Sequence, residues 1–331
     1  MVEDLANSRP DVGASKTAAD RYCCSLVIPT KNGGELFRRA VERLCAQTCW
    51  PRVEFIVVDS GSTDDTPAVA RSAGAVVHSI AADAFNHGAT RDYGISLASC
   101  NAVILMVQDA IALDAHLIER LLAALSGDRV AGAFARQIPQ PTADAITKRN
   151  VNSALTAGLA RKVKAIEHPG QYRKLSPVAK YHLCNFDNVC SAIDKRVWEQ
   201  ERFGEISFGE DIDWAQRVLK HGFKIVYEPA AAVIHSHERS LGYDYRRTYV
   251  SHRLLYRLFG VQFVPTPRQV LRTWASMSLA DIALVSRAEK HLPRKIRMLV
   301  KAPAANLLCA YAQYRAARDE SRNVRMKAGG I

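Results

Sequence analysis

The chain has 331 residues, of which 48% are hydrophobic and 24% are charged. A chain of this length and composition can bury a large core, which excludes a largely disordered protein. The formal charge is +12, and residues 262–331 hold thirteen Lys or Arg against four Asp or Glu. We therefore expect this basic segment to meet nucleic acid, anionic lipid or an acidic substrate.

The sequence carries no targeting or disulfide signal. Residues 1–21 lack the basic region and apolar core of a signal peptide, and we expect them to form a flexible tail. No apolar stretch approaches the roughly 18 residues of a membrane span. The eight cysteines have no paired CxxC spacing, so neither a zinc ribbon nor a disulfide framework is indicated. These features predict a cytoplasmic protein.

Strand and helix patterns alternate over the first third of the chain. The apolar runs CCSLVIPT, VEFIVVD, AVVHSI and AVILMV predict buried strands, and GELFRRAVERLCAQ, TPAVARSAG and ATRDYGISLASC predict the helices between them. This alternation predicts an α/β fold with a doubly wound parallel sheet covered on both faces. Ligands bind such sheets at the carboxyl ends of the strands, which carry Pro29-Thr30, Asp59-Ser60 and Gln108-Asp109.

The pattern changes twice further along the chain. Residues 136–182 are polar and helical in pattern, and the chain beyond Ser240 becomes helical and basic. The phosphate-binding motifs GxGxxG and GxxxxGK[ST] are both absent, which argues against an NAD site or a P-loop. We predict a tail at 1–21, two halves of one domain at 22–135 and 136–240, and a helical extension at 241–331.

Two residues of the first half are candidates for binding a nucleotide. Asp59 ends a strand, and its carboxylate could accept hydrogen bonds from a base or a ribose hydroxyl. The stretch SGSTDDT that follows is equally suited to a turn and a helix cap. Arg91 lies near a predicted helix start, where its forked guanidinium could bind two phosphates. The alternative for Arg91 is an ion pair with a surface carboxylate.

The second half supplies acids and histidines. Glu210 and Asp211 lie in GEDIDW at a predicted helix start, where acids are often simply solvated, but a carboxylate facing a cleft could act as a general base. His235 and His237 end the apolar run AAAVI and would point the same way from an extended strand. Asp109 and a histidine could hold one divalent cation between the two halves. The alternative is a pair of polar histidines leaving a strand.

Taken in order, these motifs resemble family 2 of the inverting nucleotide-sugar glycosyltransferases, which have the GT-A fold. VIPTKNGG followed by FIVVDSGSTDDT is similar to the paired signature of the nucleotide-binding half of that family. FNHGATRDYGI, MVQDA, GEDIDWAQRVLKHGFKIVYEP and HSHERS resemble its bacterial rhamnosyltransferase branch. The resemblance covers roughly residues 22–260 and implies a Rossmann-like GT-A domain that binds the nucleotide-sugar in 22–135 and the acceptor in 136–240.

The resemblance also implies roles for individual residues. Asp59 would help to hold the base and ribose, and Arg91 would face the pyrophosphate. The residues that the resemblance assigns to nucleotide-sugar binding are Pro29, Thr30, Asp59, Ser60, Arg91 and Gln108. Asp211 is the favoured general base, with Glu210 as the second candidate.

A metal site follows from the same resemblance. The family usually has Asp-x-Asp at the metal position, whereas this chain has Gln108-Asp109-Ala110. Some members complete the metal shell with a histidine about two dozen residues beyond the acidic pair. The resemblance therefore implies that Asp109 binds Mg²⁺ or Mn²⁺ together with the donor phosphates and with His235 or His237.

The implied reaction is a metal-assisted single displacement that inverts the sugar. The expected donor is dTDP-L-rhamnose, and the expected acceptor is a hydroxyl of a cell-surface polysaccharide or a lipid-linked glycan. Since related rhamnosyltransferases often extend lipid-linked glycans, we expect residues 262–331 to attach the protein peripherally to the inner face of the cell membrane. The alternative is a helical appendage that packs on the catalytic domain.

Two other functions compete with this interpretation. A sugar-1-phosphate nucleotidyltransferase shares the sheet type, but it should carry a Gly-rich basic loop after its first strand, which VIPTKNGG only partly resembles. A non-catalytic nucleic-acid-binding protein would explain the net charge. It would present basic and aromatic residues on an open platform, whereas this sequence places acids in the predicted cleft. We therefore expect no specific nucleic-acid partner.

Overall fold

The computed structural model describes residues 23–324, so the predicted tail at 1–21 lies outside the described residues. Nine strands within this range form a single sheet. They are β1 (Cys24–Thr30), β2 (Val53–Asp59), β3 (Val76–Ser79), β4 (Ala102–Met106), β5 (Ile111–Ala112), β6 (Val130–Ile138), β7 (Lys162–Lys164), β8 (Cys190–Asp194) and β9 (Lys224–Ile234).

Twelve α-helices connect and follow these strands in the described residues. They are α1 (Gly34–Cys45), α2 (Thr66–Ser72), α3 (His87–Leu97), α4 (Leu117–Leu125), α5 (Ala145–Asn152), α6 (Pro169–Lys174), α7 (Pro177–Cys184), α8 (Lys195–Gln200), α9 (Glu210–Lys220), α10 (Leu241–Phe259), α11 (Pro267–Ala288) and α12 (Leu292–Ser321). None of them is long and apolar enough to cross a lipid bilayer.

The strand order is β3-β2-β1-β4-β8-β6-β9-β5, and β7 pairs with the beginning of β9. The four strands predicted from the sequence, β1 to β4, are parallel neighbours. β6 and β9 are also parallel, and each antiparallel pair involves β8, β5 or β7. The predicted α/β class, a doubly wound and mostly parallel sheet with a C-terminal helical extension, is confirmed.

Both faces of the sheet are buried. Leu26 and Ile28 of β1 pack in one apolar cluster with Phe37 of α1, whereas Val27 packs in a second cluster with Ile95 of α3. Successive strand residues point to opposite faces, so a strand covered on both sides must be apolar at nearly every position. The rigid sheet therefore fixes the positions at which its strands end.

The C-terminal helices pack on one another and on α5. Arg253 of α10 donates to Glu320 of α12 at 2.6 Å, and the Tyr249 hydroxyl donates to Asp319 at 2.9 Å. Arg149 of α5 forms an ion pair with the buried Asp281 of α11. These contacts hold α10, α11 and α12 beside the polar segment that follows β6.

The close approach of α3 to the sheet gives a test of the packing. A Cβ on Gly94 would lie 2.4 Å from Val27 Cγ1 and 3.3 Å from Val58 Cγ2. We expect Gly94→Ala to lower the free energy of unfolding by about 1–3 kcal/mol, because the added methyl overfills a closed core. In α10, a Cβ on Gly242 would meet no atom within 4 Å. Gly242→Ala should therefore be neutral or stabilise by up to about 1 kcal/mol. Urea unfolding of both variants measures this, and a wild-type midpoint for Gly94→Ala would contradict it.

Candidate active site

The carboxyl ends of β1, β2 and β4 form one polar edge. Thr30 Oγ1 donates to Asp59 Oδ1 at 2.9 Å, and Ser60 Oγ donates to the Thr30 carbonyl oxygen at 3.0 Å. Gln108 Oε1 accepts from the Lys31 N–H at 2.8 Å, while its Nε2 donates to the Lys31 carbonyl oxygen at 3.1 Å. An ionised aspartate could only accept, so glutamine is suited to pairing with both backbone groups.

The Asp59 carboxylate is buried, and it accepts hydrogen bonds from Thr30 and from the turn that follows it. Its Oδ1 accepts from the hydroxyls of Thr30 and Ser62, and its Oδ2 accepts from the N–H groups of Gly61 and Ser62. A carboxylate offers about four acceptor positions, so these bonds occupy them all. The contact of Asp59 with a base or a ribose stays a prediction, and it requires one of these bonds to be exchanged. Pro29 lies partly exposed at the same edge.

Asp109 meets two histidines from the end of β9. Its Oδ1 lies 3.6 Å from His235 Nε2, and its Oδ2 lies 3.1 Å from His237 Nε2. The two Nε2 atoms are 3.0 Å apart. The register of β5 against β9, with Ile111 opposite Ile234, brings these distant parts of the chain together. We name Asp109, His235 and His237 the cation cluster, because one ligand atom from each lies within 4.8 Å of the others.

The cation cluster has the protonation state that a metal requires. Burial lowers the pKa of His235 to about 4, although the Asp109 carboxylate opposes this, so the imidazole is neutral at physiological pH. His235 Nδ1 lies 2.9 Å from Gln137 Oε1. A proton on Nδ1 makes this hydrogen bond and leaves the Nε2 lone pair free to bind a cation. Because imidazole nitrogen favours transition metals, Mn²⁺ fits this donor set better than Mg²⁺.

A second group of side chains surrounds the start of α9. Asn188 donates from its backbone N–H to Asp211 Oδ2 and from Nδ2 to Glu210 Oε1, both at 3.3 Å. Burial raises the pKa of Asp211 well above its usual value, and the charges of Glu210 and Asp187 raise it further. A carboxyl group with a raised pKa is suited to accept a proton near neutral pH. We name Asp187, Glu210 and Asp211 the acid cluster.

Arg91 contacts the acid cluster through Glu210 in this structure. Its guanidinium lies 2.7 Å from Glu210 Oε1, and both side chains are at most 6% exposed. It also donates to the His87 carbonyl oxygen at 3.2 Å. The ion pair is therefore buried, unlike the surface pair considered from the sequence, and the contact of Arg91 with a pyrophosphate stays a prediction. Since Glu210 has a cationic partner, Asp211 is the better candidate for a free base.

One amide group connects the two clusters. Gln137, near the end of β6, donates from Nε2 to Asp187 Oδ2 at 2.5 Å, while its Oε1 contacts His235. The sequence analysis did not identify Gln137, Asp187 or Asn188. The polar pair at 187–188 directly before a strand was the available signal for two of them. The role of Gln137 follows only from the pairing of β6 with β9.

A cavity of about 600 Å³ opens beside the cation cluster. Its wall includes His235 and His237 and continues along α5, α10 and α12. This volume is within the range of small-molecule sites. The arrangement thus combines a place for a cation, a carboxyl group able to accept a proton, and space for a ligand.

Comparison with known proteins places this arrangement in a family. Residues 25–200 match the model described as "Glycosyl transferase family 2". The chain is similar to the O-antigen chain rhamnosyltransferase RfbN of Salmonella typhimurium, with 28% identity over 67% of this chain and 69% of that protein. Its identity to the O-antigen chain rhamnosyltransferase WbaN of Salmonella anatum is 29%, over the same shares of the two chains.

A solved structure also shares the fold. The mannosyltransferase PcManGT from Pyrobaculum calidifontis, in complex with GDP-Man and Mn²⁺, superposes with a TM-score of 0.58 and 15% identity. The match covers 95% of this chain and 91% of that chain. At this identity the likeness concerns the fold, and it confirms the predicted GT-A architecture.

The amide of Gln137 allows a test of the cation cluster. We expect Gln137→Leu to weaken Mn²⁺ binding roughly 10- to 100-fold, because the His235 ring loses the acceptor that fixes its tautomer. Isothermal titration with Mn²⁺ measures the change. Gln216 is a matched control, since it is a buried glutamine of α9 that bonds the Tyr172 hydroxyl. Equal Mn²⁺ affinity of Gln137→Leu and Gln216→Leu would contradict the assignment.

Proposed function

Because this chain belongs to glycosyl transferase family 2, we propose that it transfers L-rhamnose from dTDP-L-rhamnose to a hydroxyl of a cell-surface polysaccharide or lipid-linked glycan. The chain is a glycosyltransferase, and its substrates are a nucleotide-sugar donor and a glycan acceptor. The names of two similar proteins, both O-antigen chain rhamnosyltransferases, support rhamnose as the sugar. Family membership sets aside the nucleotidyltransferase and nucleic-acid-binding alternatives.

The observation that carries the proposal is the link between the two clusters. The Gln137 amide contacts His235 of the cation cluster on one side and Asp187 of the acid cluster on the other, so one side chain links the two clusters. An inverting transfer requires this combination, because the acceptor must lose a proton while charge develops on the leaving diphosphate.

On the donor side, the polar strand edge would receive the nucleotide. The residues proposed for this task are Pro29, Thr30, Asp59, Ser60 and Gln108, with Arg91 as the residue expected to face the pyrophosphate. Asp109, His235 and His237 would hold Mn²⁺, or less suitably Mg²⁺. When bound, such a cation neutralises negative charge on the leaving diphosphate.

On the acceptor side, Asp211 would remove the proton from the attacking hydroxyl. Its raised pKa makes it a stronger base than an exposed aspartate. Burial is the largest cause of the raised pKa, and the charges of Glu210 and Asp187 add to it. Arg91 forms an ion pair with Glu210 and balances its negative charge. The deprotonated hydroxyl then attacks the face of the sugar opposite to the diphosphate, which inverts the anomeric configuration.

We also propose that the C-terminal helices bind the inner face of the cell membrane. Leu292, Ile296 and Val300 of α12 are spaced four apart and are 65%, 54% and 74% exposed. On α11, Leu279 is 69% exposed, and Arg272 lies exposed on the same helix. Apolar side chains beside basic ones suit a surface of anionic lipid.

Donor hydrolysis and transfer assays test the proposed reaction. Nucleoside diphosphate release is measured with dTDP-, UDP- and GDP-sugars, each with Mg²⁺, with Mn²⁺ and with EDTA. We expect turnover of dTDP-L-rhamnose in the presence of metal. Asp211→Asn should reduce kcat roughly 100- to 10,000-fold, because the amide cannot accept the proton.

Asp213→Asn is the matched control for this experiment. Asp213 lies on the same helix and pairs with Arg217 at 3.0 Å, outside the acid cluster. Its variant should retain wild-type turnover. Near-normal turnover of Asp211→Asn would exclude Asp211 as the base, and the absence of release from dTDP-L-rhamnose would contradict the proposed donor.

Vesicle flotation tests the membrane proposal. The wild type should float with vesicles that contain phosphatidylglycerol, and much less with neutral vesicles. Replacing Leu292, Ile296 and Val300 by Ser should reduce the affinity at least about 100-fold, because three apolar side chains no longer leave water. Leu159→Ser is the control, since Leu159 is 77% exposed but lies outside α11 and α12. Equal flotation of the triple variant and the wild type would contradict the proposal.

A further inference from the structure

Two arginines that have no role in the mechanism so far line the cavity beside the cation cluster. Arg239 lies in the loop after β9, and Arg247 lies on α10. Both contribute to the wall of the same cavity of about 600 Å³ that includes His235 and His237. The Arg239 guanidinium lies over the Tyr243 ring, 4.9 Å from its centroid, which fixes its direction.

The charge of Arg247 reaches both clusters. Burial raises the pKa of Asp187 in the acid cluster, and the Arg247 guanidinium opposes that rise. Burial lowers the pKa of His237 in the cation cluster, and Arg239 and Arg247 lower it further. The Arg247 guanidinium is therefore close enough to act on one group of each cluster, Asp187 and His237.

These arginines also leave positive charge uncompensated in the cavity. Within residues 23–324, neither Arg239 nor Arg247 forms a salt bridge, whereas Arg149 in the same wall is paired with Asp281. Glu238 in the wall is already paired with Arg294 at 3.1 Å. Asp144 and Asp244 are the further carboxylates of the wall, and its cations without a salt bridge among the described residues are Arg239, Arg247 and Lys301. The cavity therefore favours an anionic ligand.

We propose that Arg247, with Arg239 beside it, binds the diphosphate of the nucleotide-sugar donor. The inference rests on the proposed function, which supplies that donor. A planar guanidinium matches two phosphate oxygens at once. When the bond between the anomeric carbon and the phosphate oxygen breaks, the electron pair stays on that oxygen, and Arg247 stabilises the resulting charge. Arg91 is held by Glu210 in a buried ion pair, whereas Arg239 and Arg247 line the cavity and form no salt bridge among the described residues.

Binding measurements separate this role from a structural one. Isothermal titration gives Kd for dTDP and for thymidine, each at a fixed Mn²⁺ concentration. Arg247→Gln should weaken dTDP binding roughly 10- to 100-fold and leave thymidine binding unchanged, because only the diphosphate loses a contact. Arg247→Lys should recover part of the affinity, since it restores the charge without the fork. Arg239→Gln should weaken dTDP binding in the same direction.

Arg246→Gln is the matched control, because Arg246 is exposed on α10 like Arg247 but is not part of the cavity wall. It should bind dTDP like the wild type. Equal dTDP affinity of Arg247→Gln and Arg246→Gln would overturn the inference, as would an equal loss of dTDP and thymidine binding in Arg247→Gln. If the wild type binds none of dTDP, UDP and GDP, the proposed function itself fails.

Discussion

The pairing of β9 with β6 and β5 is the constraint on which the site depends. In this register Ile234 lies beside both Ile138 and Ile111, so the chain that leaves β9 must pass Gln137 and Asp109. A shift by one residue would turn every side chain of β9 to the other face of the sheet. The apolar residues of β9 are buried on both faces, and their burial therefore also fixes the positions of the histidines.

Burying the charged side chains at the start of α9 costs considerable desolvation free energy. Arg91 and Glu210 are almost fully buried, and removing one of them would leave an unpaired charge away from water. Burial raises the pKa of the nearby Asp211, the charge of Glu210 raises it further, and the charge of Arg91 opposes that rise. Stability and basicity thus follow from the same contacts, and the start of α9 cannot change without affecting both.

The residue before Asp109 shapes the chemistry of the cation cluster. Gln108 supplies no carboxylate, and its amide joins the ends of β1 and β4 through Lys31. The cation cluster consequently has one carboxylate and two imidazoles. Such a set carries less negative charge than two carboxylates, so the donor diphosphate would have to neutralise more of the charge of a bound divalent cation.

The sequence by itself determined the apolar strands β1 to β4 and the strand ends that carry Thr30, Asp59 and Asp109, because a period of two and a period of 3.6 are local signals. The order of its motifs also predicted that Asp109, His235 and Asp211 belong to one site. Only the tertiary structure decided that the Asp59 carboxylate accepts hydrogen bonds from its own turn, that Arg91 pairs with Glu210, and that Gln137 joins the two clusters. These facts depend on which strands become neighbours, and strand order is fixed by packing between residues far apart in the chain.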